Sequence, residues 1–314
     1  MTDRLHPDEV SIDAVLVREL LRTQMPDLAD LDVRAVPAQG TDNVVFRVGS
    51  ELSVRLPRKP AAVRGLLVER EWLPSLAHRL PLPVPLPIAS GEPSDRYPFP
   101  WTVSTWVRGI PLVPTNGLRS EDVEVLAHFT AILQSLDASG GPAVEPGQRA
   151  GPVAPYDPVA RTALDGVLNL KAAGRIEPDL VDEKRATSLW AAAVDADAWP
   201  GPPVWVHRDL QGGNLLTSSD GRLMGVLDFG GLVVGDPAGD VMAAFHVFSS
   251  ADRSTFRRAM GVDDSTWVRA RGWAMVQGLE ALIYYFDTHP GMVAMARRVI
   301  RAALEPDYTN ADSA

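Results

Sequence analysis

The segment His207-Arg208-Asp209-Leu210-Gln211-Gly212-Gly213-Asn214 is the most informative part of this 314-residue chain. Asp228-Phe229-Gly230 follows it, and the strand-like sequence of residues 215–226 lies between the two segments. A carboxylate on a tight loop is suited to orienting a hydroxyl group and accepting its proton. Asn and Asp also supply the hard oxygen atoms that Mg²⁺ prefers. The two segments therefore predict a base and a metal site joined by a β-hairpin.

The first segment matches the kinase catalytic-loop pattern H-R-D-L-x-x-x-N, and the second matches D-F-G. Phosphoryl transfer needs a carboxylate near the attacking hydroxyl and oxygen ligands for Mg²⁺. We predict Asp209 as the catalytic base, and Asn214 and Asp228 as the metal ligands. A three-residue match is weak alone, but both motifs in the right order are difficult to obtain by chance.

Three neighbouring residues are predicted to support the site rather than to react. His207 braces the catalytic loop by packing and hydrogen bonding. Asp240 opens a predicted helix at 240–248 and bonds to the backbone of the catalytic loop. Only seven residues separate Asp228 from Asp236, which leaves no room for a phosphorylated activation loop. Arg208 is therefore expected to pair with a local carboxylate.

These motifs resemble the aminoglycoside and macrolide phosphotransferase family, which shares its fold with protein kinases. The resemblance covers nearly the whole chain, and four further segments contribute to it: Gly40–Val48, Ser53–Pro57, Leu80–Pro87 with Tyr97–Trp101, and Gly235-Asp236-Pro237-Ala238-Gly239-Asp240. It implies that ATP or GTP is the co-substrate and Mg²⁺ the cofactor. It also implies that Gly40 and Asn43 lie on the nucleotide-positioning loop.

The chain departs from the family pattern at two positions. Arg55 stands where the family has a phosphate-contacting lysine, and Arg208 stands where many relatives have glycine. Arginine and lysine are not interchangeable, because the guanidinium is a wider planar fork. It can still hold a phosphate through two hydrogen bonds, so we expect Arg55 to replace the lysine.

A carboxylate and a hinge complete the predicted nucleotide site. Glu69 shares a helix face with Trp72 and Leu73, so it is predicted to point inwards and to hold Arg55. Glu71 points about 200° away around the same helix. The resemblance places the base of the nucleotide against backbone groups of Thr105 and Val107. Backbone contacts leave no side-chain signature, so ATP and GTP stay equally open.

Apolar spacing and turn residues predict an α+β, two-lobed, protein-kinase-like fold. A helix near 14–22, strands near 33–37, 44–48, 52–56 and 97–107, and a helix containing Glu69 make up the first hundred residues. Later segments have helical spacing, near 121–136, 158–173, 179–194, 264–286 and 291–304. We predict a nucleotide-binding lobe at 1–107 and a mainly helical acceptor lobe at 108–314.

Composition limits the class of protein. Hydrophobic residues make up 46% of the chain, which has no cysteine and no apolar run near the ~20 residues of a membrane span. The polar, acidic start has no signal-peptide core. These features predict a soluble, cytoplasmic protein. Walker, Rossmann, serine-hydrolase and zinc-protease motifs are all absent from the sequence.

The net charge of −10 is unevenly distributed. Residues 1–110 carry 13 basic and 14 acidic side chains, whereas residues 111–314 carry 17 and 26. The acidic second part disfavours nucleic acid and favours a cationic acceptor. Candidate carboxylates for the acceptor site are Glu280, Asp287, Glu305 and Asp307.

Three classes of function remain open at this point. The first is an antibiotic kinase with an aminoglycoside-like acceptor, which would confer resistance. The second is a small-molecule kinase for a metabolite, or for a macrolide or nucleoside antibiotic. The third is a nucleotide-binding pseudokinase. The complete set of Asp209, Asn214 and Asp228 disfavours the third class. A small-molecule acceptor and a nucleotide are the predicted partners, with no nucleic acid and no membrane.

Overall fold

A computed structural model describes residues 10–36, 42–113 and 117–306. The α+β class and the kinase-like architecture are confirmed: a β-rich N-terminal part precedes a mainly helical C-terminal part. The chain divides into two compact units, Met1–Gly109 with Gly225–Leu232, and Ile110–Met224 with Val233–Ala314. The assignment of residues 1–107 to nucleotide binding and 108–314 to the acceptor stays a prediction.

An antiparallel five-stranded sheet forms the centre of the first unit. Its strands are β1 (Val33–Ala35), β2 (Asn43–Val48), β3 (Leu52–Pro57), β4 (Pro87–Gly91) and β5 (Trp101–Thr105). They lie in the order β1-β2-β3-β5-β4, and Arg55 on β3 pairs with Val45 on β2. Side chains alternate between the two faces of a strand. Val54 and Leu56 are fully buried, whereas Arg55 between them points to the other face.

Helix α1 (Ala14–Gln24) covers one face of this sheet. It begins at Asp13, whose carboxylate accepts a hydrogen bond from the Leu16 N–H at 2.8 Å, as N-cap residues commonly do. Its apolar side chains Val17, Leu20 and Leu21 join the core formed by β1, β2 and β5. This core holds β2 and β3, and therefore Asn43 and Arg55, in fixed positions.

Helix α2 (Pro60–Ala77) begins with a proline at its first position and continues through Pro74. Its buried side includes Leu66, Glu69 and Leu73, whereas Glu71 is exposed. The inward orientation predicted for Glu69 is thus observed. The helix packs on the turn at Phe229–Gly231.

The second unit is mainly helical. Its helices are α3 (Val123–Ser135), α4 (Asp157–Ala172), α5 (Glu183–Asp195), α6 (Ala238–Val241), α7 (Ala243–Val247), α8 (Ser250–Met260), α9 (Asp264–Tyr285) and α10 (Pro290–Leu304). Helix α9 is buried on several sides and packs against α4, α5, α6 and α10. Asp263 caps its start by accepting from the Thr266 N–H at 2.6 Å.

Short strands hold the catalytic-loop segment between them. β7 (Val204–Val206), which precedes the loop, pairs with β10 (Val233–Gly235). β6 (Ile110–Pro111), β8 (Leu215–Thr217) and β9 (Leu223–Val226) form a three-stranded sheet in the order β6-β8-β9. The loop at 207–214 is therefore anchored by a strand at each end. Within the described part of the chain, no helix has both the length and the apolar character needed to cross a bilayer.

Candidate active site

The predicted site residues fall into two groups, one in each compact unit. Arg55, Glu69 and Asp228 belong to the first unit, together with Asn43, Thr105 and Val107. Asp209 and Asn214 belong to the second unit, together with His207, Arg208 and Asp240. Gly40 lies outside the described residues.

Arg55 is the centre of the first group. Its Nη1 donates to both carboxylate oxygens of Glu69 at 2.6 Å, and its Nη2 donates to Asp228 Oδ1 at 2.6 Å. With its amide oxygen turned towards the guanidinium, Asn43 accepts from Nη2 at 2.9 Å and from Nε at 3.2 Å. Each of the five guanidinium N–H groups then has an acceptor. A lysine, with three donors on one nitrogen, could not reproduce this fork.

Burial and charge act against each other in this group. Burial alone would lower the pKa of Arg55, but the charges of Asp228 and Glu69 outweigh it and raise that pKa, so the guanidinium stays protonated. Burial raises the pKa of the Glu69 carboxyl; Arg55 opposes this effect, and the Asp228 charge adds to it. Two carboxylates thus share the Arg55 guanidinium.

The backbone of Asp228 is held in an unusual conformation. Its φ angle is +64°, in the left-handed region that non-glycine residues rarely adopt. The turn that follows packs tightly on α2: a Cβ at Gly65 would lie 3.0 Å from the Gly230 carbonyl oxygen. This close approach needs a glycine on the same helix face as Glu69, one turn earlier. Helix α2 therefore positions both carboxylates that Arg55 contacts.

The predicted hinge residues, Thr105 and Val107, lie at and just after the end of β5. The Thr105 N–H donates to the Leu86 carbonyl at 2.9 Å, and the Thr105 hydroxyl accepts from the Leu86 N–H at 2.9 Å. A backbone contact of Thr105 with a nucleotide would therefore use its carbonyl group. Val107 is buried. The contact of both residues with the base stays a prediction.

In the second group, a compact loop holds the predicted base. The Asp209 carboxylate accepts from Asn214 Nδ2 at 2.6 Å and from Gln211 Nε2 at 3.0 and 3.1 Å. Asn214 Nδ2 also donates to the Asp209 carbonyl at 2.9 Å. These bonds use the amide nitrogen of Asn214 and turn its oxygen atom away from Asp209. That oxygen is the atom a metal ion would need.

Asp240 supports the catalytic loop through hydrogen bonds to its backbone. Its two carboxylate oxygens accept from the backbone N–H groups of His207 at 2.9 Å and of Arg208 at 2.8 Å. His207 and Asp240 are both fully buried. Burial raises the pKa of the Asp240 carboxyl, while the positive groups and amides around it act in the opposite direction. Asp240 lies on α6, so this helix fixes the loop.

Comparisons with known proteins identify the family of the chain. The model of a family described as "Phosphotransferase enzyme family" matches residues 33–275, more than half of the chain. The chain belongs to this family. It is a phosphotransferase that acts on an alcohol group. No sequence among curated proteins matches it significantly.

Solved structures of similar fold include two kinds of antibiotic phosphotransferase. The GDP complex of aminoglycoside 2'-phosphotransferase-IIIa has a TM-score of 0.68 and 16% identity, over 93% of this chain and 99% of the other. The macrolide 2'-phosphotransferase MphH from Brachybacterium faecium has a TM-score of 0.59 and 23% identity, over 95% and 100%. At these identities the likeness shows a shared fold.

Arg208 of this phosphotransferase has a left-handed backbone, with φ at +69°. Glycine adopts that conformation at little cost, which accounts physically for the glycine that the resemblance implies at this position. The arginine side chain gains a contact instead: its Nη1 donates to Gln148 Oε1 at 2.8 Å. The pairing of Arg208 with a carboxylate stays a prediction.

The carboxylates predicted for the acceptor site have different partners. Glu280 on α9 accepts from the Tyr156 hydroxyl at 2.7 Å. Asp287 pairs with Arg175, and Glu305 pairs with Arg253, each at 2.6 Å. Asp307 lies outside the described residues. Two of the three described carboxylates are thus neutralised by arginines, and Glu280 has an uncharged partner.

Sequence reasoning missed three polar residues around the site. Gln211 lies two residues from Asp209, and its spacing could have indicated the contact with the base. Gln148 and Tyr156 lie in segments with no motif, and they reach Arg208 and Glu280 only through the fold. Tyr156 also packs edge-on against Trp273, with ring centroids 5.1 Å apart. Burial, followed by the effect of Glu280, raises the pKa of Tyr156, so this hydroxyl remains a donor.

Proposed function

We propose that this phosphotransferase moves the γ-phosphate of ATP or GTP to a hydroxyl group of a small cationic molecule, with an aminoglycoside-type antibiotic as the foremost acceptor. The bond from Asn214 to the Asp209 carboxylate at 2.6 Å carries the proposal. This bond orients two groups on the same loop: the Asp209 carboxylate as the base and the Asn214 oxygen as a proposed metal ligand. Phosphoryl transfer requires a protein to hold such groups in position.

The residues have distinct roles in this reaction. Asp209 orients the acceptor hydroxyl and takes its proton as the oxygen attacks the γ-phosphorus. Arg55 offers positive charge to the phosphates. Its five donors are engaged, so a phosphate oxygen must replace one acceptor, and the uncharged amide of Asn43 is the weakest of the three.

Mg²⁺ fits the donor set of the two proposed ligands. The Asn214 amide oxygen points away from Asp209, and the Asp228 carboxylate is 39% exposed. Mg²⁺ usually takes only one or two protein oxygens, with phosphates and waters completing its shell. When bound, it would offset the negative charge that develops on the transferred phosphate.

The acceptor class rests on Glu280 and on the acidic balance of residues 111–314. A solved structure of the same fold is a complex with GDP and kanamycin, and kanamycin is an aminoglycoside. A macrolide is the second candidate, because the macrolide phosphotransferase has the higher identity of the two relatives compared above, 23% against 16%. A cytoplasmic location stays a prediction.

A turnover screen tests the proposal. The purified protein is incubated with Mg²⁺, with either ATP or GTP, and with panels of aminoglycosides, macrolides, nucleosides and amino alcohols. Nucleoside diphosphate release and the mass of the acceptor are measured, with the Asp209→Asn variant as the blank. We expect acceptor-dependent release together with an aminoglycoside whose mass increases by one phosphate. Turnover only with macrolides or metabolites would reassign the acceptor. No turnover with any panel would support the pseudokinase alternative.

A further inference from the structure

A cleft of about 900 Å³ opens in the second unit, away from the catalytic loop. It lies between the segment before α3, the segment before α5, the start of α8 and the second half of α10. Neither Asp209, Asn214 nor Asp240 lines it. A volume of this size suits a small molecule. None of the residues given a role under the proposed function lines this cleft; Glu305, a predicted acceptor carboxylate, does line it and is paired with Arg253.

Four arginines line the cleft, and two of them are already paired. Arg253 is buried, and its Nη2 donates to Glu305 Oε2 at 2.6 Å while its Nη1 donates to the Ala302 carbonyl at 2.9 Å. Arg301 contacts Glu177 at 3.3 Å. The guanidinium groups of Arg185 and Arg298 have no hydrogen-bond or ion-pair partner in the part of the chain that the structure describes. Neither of these two guanidinium groups is bonded to an acid of the described chain, although Asp179, Asp182 and Glu305 also line the cleft.

Arg298 is the better placed of these two unpaired arginines. It is half-buried, and a Cβ at Gly117 would lie 3.2 Å from its Nη2. Burial, followed by the charge of Arg253, lowers the pKa of the Arg298 guanidinium. A partly buried cation without a counter-ion is costly. An anion bound beside it would remove this cost.

The rest of the lining suggests what else the ligand contains. Ala294 and Pro306 present exposed apolar surface, and Ser249 lies at the start of α8, whose positive dipole end favours an anion. Besides Glu305, two acids line the cleft. Asp182 caps α5 by accepting from the Arg185 N–H at 2.8 Å, and Asp179 is exposed. Within the described residues, neither carboxylate forms an ion pair with Arg185 or Arg298.

We propose that this cleft is a binding site for a small oxyanion with an apolar body, such as an alkyl phosphate or an alkyl carboxylate. Arg298 and Arg185 hold the oxyanion, and the alkyl part packs on Ala294 and Pro306. Both head groups satisfy the same geometry, because a guanidinium fork accepts either carboxylate or phosphate through two hydrogen bonds.

Calorimetric titrations of the full chain with four probes test this site: hexyl phosphate, hexanoate, inorganic phosphate and hexanol, all at constant ionic strength set with chloride. We expect saturable binding of hexyl phosphate, of hexanoate, or of both, and the comparison identifies the preferred head group. Inorganic phosphate should bind more weakly, because it lacks the apolar body. Equal affinity for hexanol would overturn recognition of the oxyanion.

Two variants assign the binding to the cleft. Arg298→Gln should weaken the preferred probe by roughly tenfold or more, as expected when a charged hydrogen bond is lost. Arg70→Gln, at an exposed arginine of α2, is the matched control and should bind as the wild type does. Binding that survives Arg298→Gln but is lost in Arg55→Gln would place the anion at the candidate active site and overturn the proposal. Non-saturable binding, matched by chloride, would show an adventitious ion only.

A stability measurement separates recognition from damage to the fold. Without ligand, Arg298→Gln should unfold at the same temperature as the wild type or higher, because the substitution removes an unpaired charge beside Arg253. Saturating probe should raise the unfolding temperature of the wild type and leave that of the variant unchanged. A variant that unfolds well below the wild type without ligand would show that Arg298 has a structural role, and would contradict the unpaired charge on which the proposal depends.

Discussion

At the scale of single residues, Asp209 both receives hydrogen bonds and is proposed to accept a proton. Asn214 and Gln211 hold its carboxylate in place, so an amide at position 209 would keep much of the loop geometry while losing the basic group. Asp209→Asn should therefore lower kcat by on the order of 10²–10⁴ with a modest change in KM. Steady-state kinetics with the preferred acceptor measures this. Full turnover in the variant would exclude Asp209 as the base.

The buried pair of Arg55 and Glu69 is the second feature at the scale of single residues. Removal of either side chain leaves the other buried without its main partner, so the two single losses should overlap. In a cycle of Arg55→Gln, Glu69→Gln and the double variant, we expect a coupling in the free energy of unfolding on the order of 1–3 kcal/mol. Denaturant unfolding measures it.

The exposed pair Arg108–Glu51, whose atoms are 2.7 Å apart, is the matched control for that cycle. Water screens both of its charges, so its coupling should be much smaller than that of the buried pair. Strictly additive losses at Arg55 and Glu69 would show that the two side chains do not act together.

At the scale of elements, the contact of α2 with the turn at 229–231 is the most testable feature. A methyl group at position 65 would press on backbone atoms of Gly230, which cannot rotate away. Gly65→Ala should therefore lower the free energy of unfolding by about 1–2 kcal/mol through overpacking, despite the better helix propensity of alanine. It should also lower activity, because the shift displaces Glu69 and Asp228 together.

Gly291→Ala provides the control for this prediction. Gly291 also lies in a helix, α10, but its nearest neighbour is the His289 side chain at 3.4 Å, an ordinary contact. This variant should be as stable as the wild type or slightly more stable. Equal effects of the two substitutions on stability would show that the approach of α2 to the turn is not tight.

The long helices could be predicted because apolar residues recur along them with helical spacing, on one face in most of them and on several sides in α9. Helices α1, α3, α4, α9 and α10 appear within a few residues of the predicted positions. Helix α8 was missed because it is mostly polar and buries only Arg253 and Phe256. Its signals are at its ends: Ser249 caps the start, and Gly261, with φ at +63°, ends it. Strand β4 was not predicted; it begins at the end of the proline-dense residues 80–87, from which only the end of a helix could be inferred.

In the candidate site, too, residues within short motifs could be predicted, whereas contacts between residues far apart in the sequence could not. Asp209, Asn214 and Asp228 could be found because each lies in a short motif with fixed spacing. The contact of Arg55 with Asp228 joins residues 173 positions apart, and no local pattern records such a pairing. The same holds for Gln148 with Arg208, 60 positions apart. Tertiary packing, not sequence spacing, sets these distances.

At the scale of the whole molecule, the acidic excess of residues 111–314 should attract a cationic acceptor. Only carboxylates that are not paired with a basic side chain can contribute to this attraction. Glu280 is the described candidate with an uncharged partner. A glutamine there could still accept from Tyr156, so Glu280→Gln removes charge and preserves the contact. We expect a higher KM for a cationic acceptor and a nearly constant kcat. In the wild type, KM should also rise between about 50 mM and 500 mM salt.

Asp287→Asn serves as the control for this effect, because Asp287 is exposed and paired with Arg175. Its KM should stay close to the wild-type value. If Glu280→Gln left KM for a cationic acceptor unchanged, the acceptor would not be held by this carboxylate. A preference for neutral or anionic acceptors would favour a macrolide or a metabolite instead.

The stability of the whole chain should depend on pH through His246. This histidine is 4% exposed, and burial, followed by the charges of Arg149 and Arg298, lowers its pKa to about 3. The unfolded chain takes up a proton near pH 6.5, whereas the folded protein does so only near pH 3. Stability from this group is therefore complete above pH 6.5 and is lost as the pH falls towards 3, by roughly 4–5 kcal/mol in total.

Denaturant unfolding between pH 7 and pH 4.5, a range that crosses the ordinary pKa of histidine, should show part of this loss in the wild type. His246→Gln should show a shallower slope, while His128→Gln, at an exposed histidine of α3, should retain the wild-type slope. Equal slopes in all three proteins would mean that His246 is protonated in the folded state.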